Sequence, residues 1–469
     1  MSSEFQFERR IDAKLLLSLL AAGLMSFTGV VIETAMNVTF PTLMQEFDIG
    51  ISVVQWITTG YLLMLAVIIP LSAFLKARYA MRRLFFTASL LFLIGTLLGA
   101  SANSFAMLLV GRLLQGVGTG IALPLMFNIV LEQAPLDRTG MMMGVASLIC
   151  ALAPAVGPSF GGGVVETFGW REIFLSLLPV LMLSFIAGMY AIRQSSALNR
   201  PSFDALSYVF LSLGFIALIL ATSFAGDDGW SDPKILALLA AFILLLAAFA
   251  RRSSGSKSSL IRLSIFGDAR FTLSVLALLL VQFITLGLGF LLPNFSQLVH
   301  GESPFTAGCI LLPGCIVGAI LAPFGGRMLD TYGARRPILF GCTLIALAAL
   351  FFALALPAST TLSLTVIYVV YTIGQGFAAG NIMTNGVRLL TTARQSDGNA
   401  VCNTLQQLAG AVGTAVVSSI VAAGQQTVPA SLPDGTMTGS LNALYFLFAC
   451  AVFALIAMFI ALKGTTRQN

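Results

Sequence analysis

Glu33 is the one charged residue in the apolar run LLLSLLAAGLMSFTGVVIETAMNVTF. A charge inside such a run is costly, and it is retained where it faces protein or water. Low dielectric favours the neutral form of a carboxyl group, whereas a nearby guanidinium favours the ionised form. A carboxyl held between those two influences suits the loading and release of a proton. A guanidinium is at hand in Arg112, within the apolar stretch Gly111-Arg112-Leu-Leu-Gln115-Gly116-Val-Gly118-Thr-Gly120. Ser26, Gly29, Glu33 and Asn37 recur at helical spacing and make one polar or small stripe on an otherwise apolar helix. Glu33 lies about nine residues, roughly 13 Å, from the end of its run, and Arg112 about six residues, roughly 9 Å. The two are therefore expected to meet as a proton-coupling pair. A purely structural Glu33–Arg112 bridge, a snorkelling Arg112 and a glutamate at an outer vestibule remain open readings of the same residues.

The elements that carry these residues follow from composition. Of 469 residues, 58% are hydrophobic and 9% charged, against roughly 25% charged in a soluble domain. Apolar runs of about 20 residues, the length of a membrane helix, recur at 14–42, 52–76, 82–101, 106–133, 139–164, 171–192, 204–224, 234–252, 271–298, 305–329, 336–355, 362–388, 397–422 and 441–463. Runs this long are helices, because barrel strands alternate over about ten residues. With the N-terminus in the cytoplasm, all of the 25 Lys and Arg except Arg112, Arg171 and Lys234 fall on the cytoplasmic side. That is the positive-inside pattern, and it places both termini in the cytoplasm. The net charge of +6 is answered by an anionic leaflet and needs no nucleic acid. The polar start MSSEFQFERRIDAK leads into a run too long for a signal peptide, so an uncleaved first span is expected. The Ser-rich, basic stretch 251–270 reads as a linker. It divides the chain into a six-helix bundle (1–195), an inserted helix pair (196–255) and a second six-helix bundle (256–469). Segment 423–440 reads as an outer loop or short cap. The six cysteines lie in apolar runs without a CxxC, and His300 is the single histidine. A metal site, a Ser/His/Asp triad and hence an enzyme are not expected.

Further motifs sit on these runs. After the tenth comes Gly326-Arg-Met-Leu-Asp330-Thr-Tyr-Gly333-Ala-Arg335-Arg336. A carboxylate at a helix end, a turn glycine and a basic pair fit a charge latch that breaks and re-forms as helices rock. A related loop after the second run has Lys76 where the first has its acid, and keeps the basic end Arg82-Arg83. The fifth run holds Ala153-Pro154-Ala-Val-Gly157-Pro158-Ser-Phe-Gly161-Gly162-Gly163, which demands a bend and a flat packing face. The first run ends in Ile32-Glu33-Thr34-Ala35-Met36-Asn37-Val38-Thr39-Phe40-Pro41, and the thirteenth contains Asn403-Thr-Leu-Gln406-Gln407-Leu-Ala409-Gly410-Ala-Val-Gly413. The tenth opens with Gly301-Glu-Ser303-Pro304-Phe-Thr-Ala-Gly308.

In this order the motifs resemble those of the major facilitator superfamily. The first, fifth, tenth and thirteenth runs are similar to its fourteen-span drug:proton antiporters. Glu33 stands one residue after that family's acidic position, about 100° round the helix. The resemblance implies an all-α membrane protein with the major facilitator fold and 14 transmembrane helices (6 + 2 + 6), working by alternating access. It implies a proton-coupled multidrug efflux antiporter in a bacterial inner or plasma membrane. Such a protein acts as a monomer without cofactors, on amphipathic or cationic compounds. Export or import of a specific metabolite or lipid-like substrate is the alternative. Glu33 and Arg112 would carry the proton. Gly157, Pro158, Gly161, Gly162, Asp330, Gly333 and Arg335 would gate. An apolar pocket with a few polar groups makes Asn37, Trp56, Tyr61, Phe127, Asn128, Asn294, Tyr371, Asn403 and Gln407 the substrate candidates, with lipid-facing or packing roles open for each.

Overall fold

The computed structural model describes residues 11–135, 139–194, 198, 203–255, 263–428 and 431–463. The polar start 1–10, the domain boundary placed at 195–196 and the middle of the linker, 256–262, lie outside the described residues. Fourteen long helices order the described chain: α1 (Ala13–Asn37), α2 (Ile51–Leu71), α3 (Met81–Ala100), α4 (Phe105–Gln133), α5 (Thr139–Thr167), α6 (Glu172–Ala191), α7 (Ala205–Asp228), α8 (Pro233–Gly255), α9 (Ala269–His300), α10 (Pro304–Tyr332), α11 (Arg335–Ala355), α12 (Thr361–Arg388), α13 (Thr392–Thr427) and α14 (Leu432–Ala461). Thirteen of these are long and apolar enough to cross a membrane. The other, α5, runs 29 residues and falls on the fifth apolar run. No strand occurs among the described residues.

Several helices start on side-chain caps that satisfy otherwise orphaned N–H groups. Asp12 accepts from the Leu15 N–H at 2.8 Å, and Thr360 with Ser363 forms a reciprocal box. Two boundaries differ from the hydropathy reading. The first run does not continue to residue 42: α1 stops at Asn37, and a separate helix, Phe40–Phe47, begins with Pro41 in its first turn, where a missing N–H costs nothing. Segment 423–440 is mostly helical among its described residues. α13 runs on to Thr427, and α14 starts at Leu432 behind Ser431, which accepts from the Asp434 N–H. Gly424, Gly435 and Gly439 bring the two polar helix ends into backbone contact, so packing keeps helical what polarity alone would leave as loop.

The helices pack as two groups, α1–α6 and α9–α14, that meet through α5 with α10, through α2 with α13, and at the end where α1 and α9 finish. There Asn294 Nδ2 donates to the Asn37 carbonyl at 3.2 Å, and Gln297 Nε2 to that of Val38 at 3.0 Å. The Phe40 and Phe290 rings lie 5.7 Å apart. The glycines of α5 fit both groups. Gly157 and Gly161 seat α5 against Thr34 and Ala35 of α1, while Gly162 and Pro158 abut Pro304 and Gly308 of α10. A side chain on Gly162 or Gly308 would collide with facing backbone. α7 lies along this seam: Gln55 of α2 donates to Ser223 at 3.0 Å, and Ser419 of α13 to the Thr222 carbonyl at 2.6 Å. α8 packs on α7 and turns most of its surface outward.

Gly308→Leu should therefore wedge the two groups apart. In a cysteine-free background carrying Asn37→Cys and Asn294→Cys, oxidative cross-linking is expected to fall at least several-fold when Gly308→Leu is added. Equal cross-linking with and without it would contradict the packing described.

Candidate proton and substrate site

Glu33 is 7% exposed and Arg112 has no exposed surface. α4 reaches the interior through glycines. At Gly118 a side-chain carbon would lie 2.7 Å from the Ala88 carbonyl and 2.9 Å from Phe92 Cβ on α3. That packing lets the Arg112 side chain find partners on α2 and on α4 itself, with α3 joined through Gln115. Its Nε donates to the Ile57 carbonyl at 3.2 Å and its Nη1 to Gln115 Oε1 at 2.7 Å, while Gln115 Nε2 donates to Thr96 Oγ1 at 2.9 Å. The guanidinium lies 4.3 Å from the Tyr61 ring centroid, a cation–π contact, which gains strength when desolvated. Nη2 is buried with no hydrogen-bond partner. Among the described residues, no hydrogen bond or ion pair joins Arg112 to Glu33.

One turn before Glu33, Gly29 leaves room for other helices' hydroxyls. A Cβ there would lie 2.9 Å from the Tyr61 hydroxyl and 2.5 Å from Thr119 Oγ1, and both residues are buried. Glu33, Tyr61, Arg112, Gln115 and Thr119 thus form one cluster where α1, α2 and α4 meet.

The other expected residues are distributed as follows. Asn37 accepts from Thr58 Oγ1 at 2.8 Å and, with Asn294, sits in the contact between helix groups. Trp56 lies 6.5 Å from Phe224 of α7. Phe127 is half-buried. Asn128 Oδ1 lies 3.5 Å from Lys76 Nζ, and Lys76 is ion-paired with Glu132 at the end of α4. Tyr371 is buried, with its hydroxyl 2.7 Å from Thr285 Oγ1. Asn403 donates to the Asn399 carbonyl of its own helix at 2.9 Å, and Gln407 is half-buried. Gly157, Pro158, Gly161 and Gly162 occupy the contact already described. Asp330 pairs with Arg388 at 3.2 Å, Gly333 turns the chain at φ +77°, and Arg335 opens α11. The two loops therefore carry one device with opposite signs: Lys76, in the short helix Ser72–Arg78 that follows α2, to Glu132 at the end of α4, and Asp330 to Arg388 at the ends of α10 and α12. Thr96 and Thr119 escaped the sequence reading. Thr119 sits inside the quoted α4 motif, and nothing in the sequence singles out Thr96.

The chain belongs to the Major Facilitator Superfamily, whose model matches residues 19–414. It is a multi-pass membrane transporter of small molecules, not an enzyme. It is 36% identical to the lincomycin resistance protein LmrB of Listeria monocytogenes, over 94% of this chain and 95% of that one. It is 36% identical to LmrB of Bacillus subtilis, with 95% of each chain covered. To the tetracenomycin C resistance and export protein of Streptomyces glaucescens it is 28% identical, over 83% and 73%. Among solved structures it resembles a bacterial homologue of the human lysosomal transporter Spinster in an inward-facing conformation, with a TM-score of 0.71 at 16% identity, covering 97% and 99%. It also resembles the xylose transporter XylE of E. coli, at 0.65 and 13%, covering 96% and 99%. At these identities the structures speak for the fold alone.

Two outcomes check this geometry. Tyr61→Phe keeps the ring beside Arg112 and is expected to keep at least half of the transport rate, whereas Tyr61→Leu should lose about thirtyfold, in line with a desolvated cation–π contact of about 2 kcal/mol. Equal losses would remove the ring from the account. Lys76→Glu alone should impair transport by setting two carboxylates together, and adding Glu132→Lys should recover most of it. A double variant no better than the single would contradict the pairing.

Proposed function

We propose that the chain is a proton-coupled multidrug efflux antiporter that exports amphipathic or cationic compounds. The observation that carries this reading is the buried Glu33 beside an Arg112 already committed to Tyr61, Gln115 and Ile57. A protonated Glu33 is neutral and tolerates having no partner. Once it loses its proton, the carboxylate draws on the free Nη2 of Arg112, and the cluster tightens. Proton loss and helix movement are linked in this way, and substrate takes the place of the proton in the exchange. Relatives named for lincomycin, tetracenomycin C and multidrug resistance support drugs as cargo.

The remaining assignments follow from charge and repeat logic. We take the chain as fourteen spans: bundles over 1–195 and 256–469, with the pair 196–255 between them. Positive-inside charge sets both termini in the cytoplasm of a bacterial cell. The end closed by Asn37, Asn294, Gly162 and Gly308 is then the outer one, and the Lys76–Glu132 and Asp330–Arg388 pairs are cytoplasmic latches. The protein works as a monomer in the bilayer, without a cofactor, driven by the proton gradient. Voltage adds ~2.3 kcal/mol per charge per 100 mV. Asn37 and Asn294 act at the outer closure. Trp56, Phe127, Asn128, Tyr371, Asn403 and Gln407 remain the residues assigned to substrate.

The test is transport in proteoliposomes under an imposed pH gradient, with lincomycin and a cationic dye as cargo. Wild-type protein should move both against their gradients only while the pH gradient lasts, and Glu33→Gln should lose at least 90% of that movement. Full gradient-driven transport by Glu33→Gln would remove Glu33 as the proton carrier. Transport indifferent to the gradient would overturn antiport.

A further inference from the structure

The two helix groups repeat each other closely enough to compare residue by residue. Gly118 of α4 abuts the Ala88 carbonyl and the Phe92 backbone nitrogen of α3, and Gly374 of α12 makes the same contact with the Gly341 carbonyl and the Ile345 nitrogen of α11. With these glycines equivalent, α12 laid on α4 sets Tyr368 on Arg112, Tyr371 on Gln115, Gln375 on Thr119 and Arg388 on Glu132. Carried over to α1 and α9, the same shift sets Thr285 and Gly289 against Gly29 and Glu33. The charged cluster of the first group thus has a neutral counterpart in the second. There the Tyr371 hydroxyl lies 2.7 Å from Thr285 Oγ1, Gln375 Nε2 donates to that same oxygen at 3.1 Å, and Tyr368 stacks on Tyr371 at 5.8 Å.

Hydrogen counting shows what this cluster still offers. The Thr285 hydroxyl has one proton and gives it to the Val281 carbonyl at 2.8 Å. Tyr371 and Gln375 must therefore both donate to Thr285. The amide oxygen of Gln375 is left as an acceptor with no protein partner among the described residues, on a half-buried side chain. Gly289 lies one turn beyond Thr285 on the same helix face. Where its counterpart carries a carboxyl, Gly289 carries nothing, and a Cβ there would meet no atom within 4 Å. Glu33 and Gly289 lie on α1 and α9, just below the contact that Asn37 and Asn294 make between those helices.

We propose that the space over Gly289, bordered by Thr285 and Gln375, is a substrate subsite for a neutral hydrogen-bond donor, a hydroxyl or amide N–H, on an otherwise apolar compound. The inference rests on the export reading and specifies which part of the cargo the second bundle recognises. An uncharged acceptor beside buried tyrosines rewards a donor without asking for positive charge, while any cationic part is left to Glu33 on α1. A side chain at Gly289 would fill the slot without touching the proton cluster.

The test measures equilibrium binding of two radiolabelled probes to the purified full chain in detergent. Chloramphenicol is neutral, with two hydroxyls and an amide N–H, and tetraphenylphosphonium is a cation with no hydrogen-bond donor. Wild-type protein is expected to bind both. Gln375→Leu should weaken chloramphenicol about fivefold, the worth of one neutral hydrogen bond, and Gly289→Leu should weaken it about tenfold or more. Both variants should hold tetraphenylphosphonium within about twofold, which also reports that they are folded. Chloramphenicol binding unchanged in both variants, or both probes weakened alike, overturns the subsite. Wild-type binding of the cation without chloramphenicol overturns the subsite alone. Binding of neither probe contradicts the export of amphipathic drugs itself, and the subsite with it.

Discussion

A guanidinium with no exposed surface sits in the middle of this apolar protein only because other groups replace the water it gave up. Around Arg112 those groups are the Ile57 carbonyl, Gln115 braced by Thr96, and the face of Tyr61. Leaving such a cation unpartnered would cost several kcal/mol, so the glycines that let α4 close on α2 and α3 are in effect part of the site. The other two basic residues outside the positive-inside pattern keep contact with solvent and still have carboxylates nearby. Arg171 is held by Glu46 at 2.7 Å and by the Ala102 carbonyl at 2.7 Å, and Lys234 lies 3.8 Å from Asp228. Each exception to the positive-inside pattern has its own partner.

Glu33 differs because it has a cation nearby and no bond to it. That arrangement is suited to switching: the carboxyl can be neutral and unpaired, or ionised and drawn to Arg112, and each condition favours a different packing of α1 against α2 and α4. The movement has somewhere to go. α1 carries Asn37 and, through Thr34 and Ala35, bears on the glycine face of α5, and both lie in the contact between the helix groups. On the proposed function, a shift of α1 at Glu33 would reach that contact within one or two helical turns. α7 spans the same seam, bonded to α2 through Ser223 and to α13 through Thr222.

The all-helical membrane fold was legible because apolar runs of span length leave few alternatives, and the family was legible in the order of its motifs. Helix ends were less so. α14 begins among Pro433, Asp434 and Gly435, a polar stretch made helical by its packing on α13. The site was half visible. Depth and periodicity brought Glu33 and Arg112 to one level, but hydropathy is blind to which face of α2 turns inward. Tyr61 read as a substrate residue, whereas its ring lies against Arg112. Lys76 read as a loss from the loop motif because its partner, Glu132, is far along the chain. Asn37 and Asn294 read as pocket residues, and that they also meet each other is something a sequence does not say. The neutral repeat of the charged cluster was out of reach for the same reason: Tyr368, Tyr371 and Gln375 match Arg112, Gln115 and Thr119 only once the glycine contacts of α4 and α12 are aligned.

The central claim is that Glu33 gives up a proton as drug is taken up. The direct measurement is proton release into weakly buffered detergent solution, followed with a pH-indicating dye, when a transported drug is added to the purified protein. The wild type should release up to one proton per chain, with the amount depending on starting pH, and Glu33→Gln should release none while still binding the drug. Undiminished release from Glu33→Gln, or drug binding by the wild type without release at any pH between 5 and 9, would contradict the account.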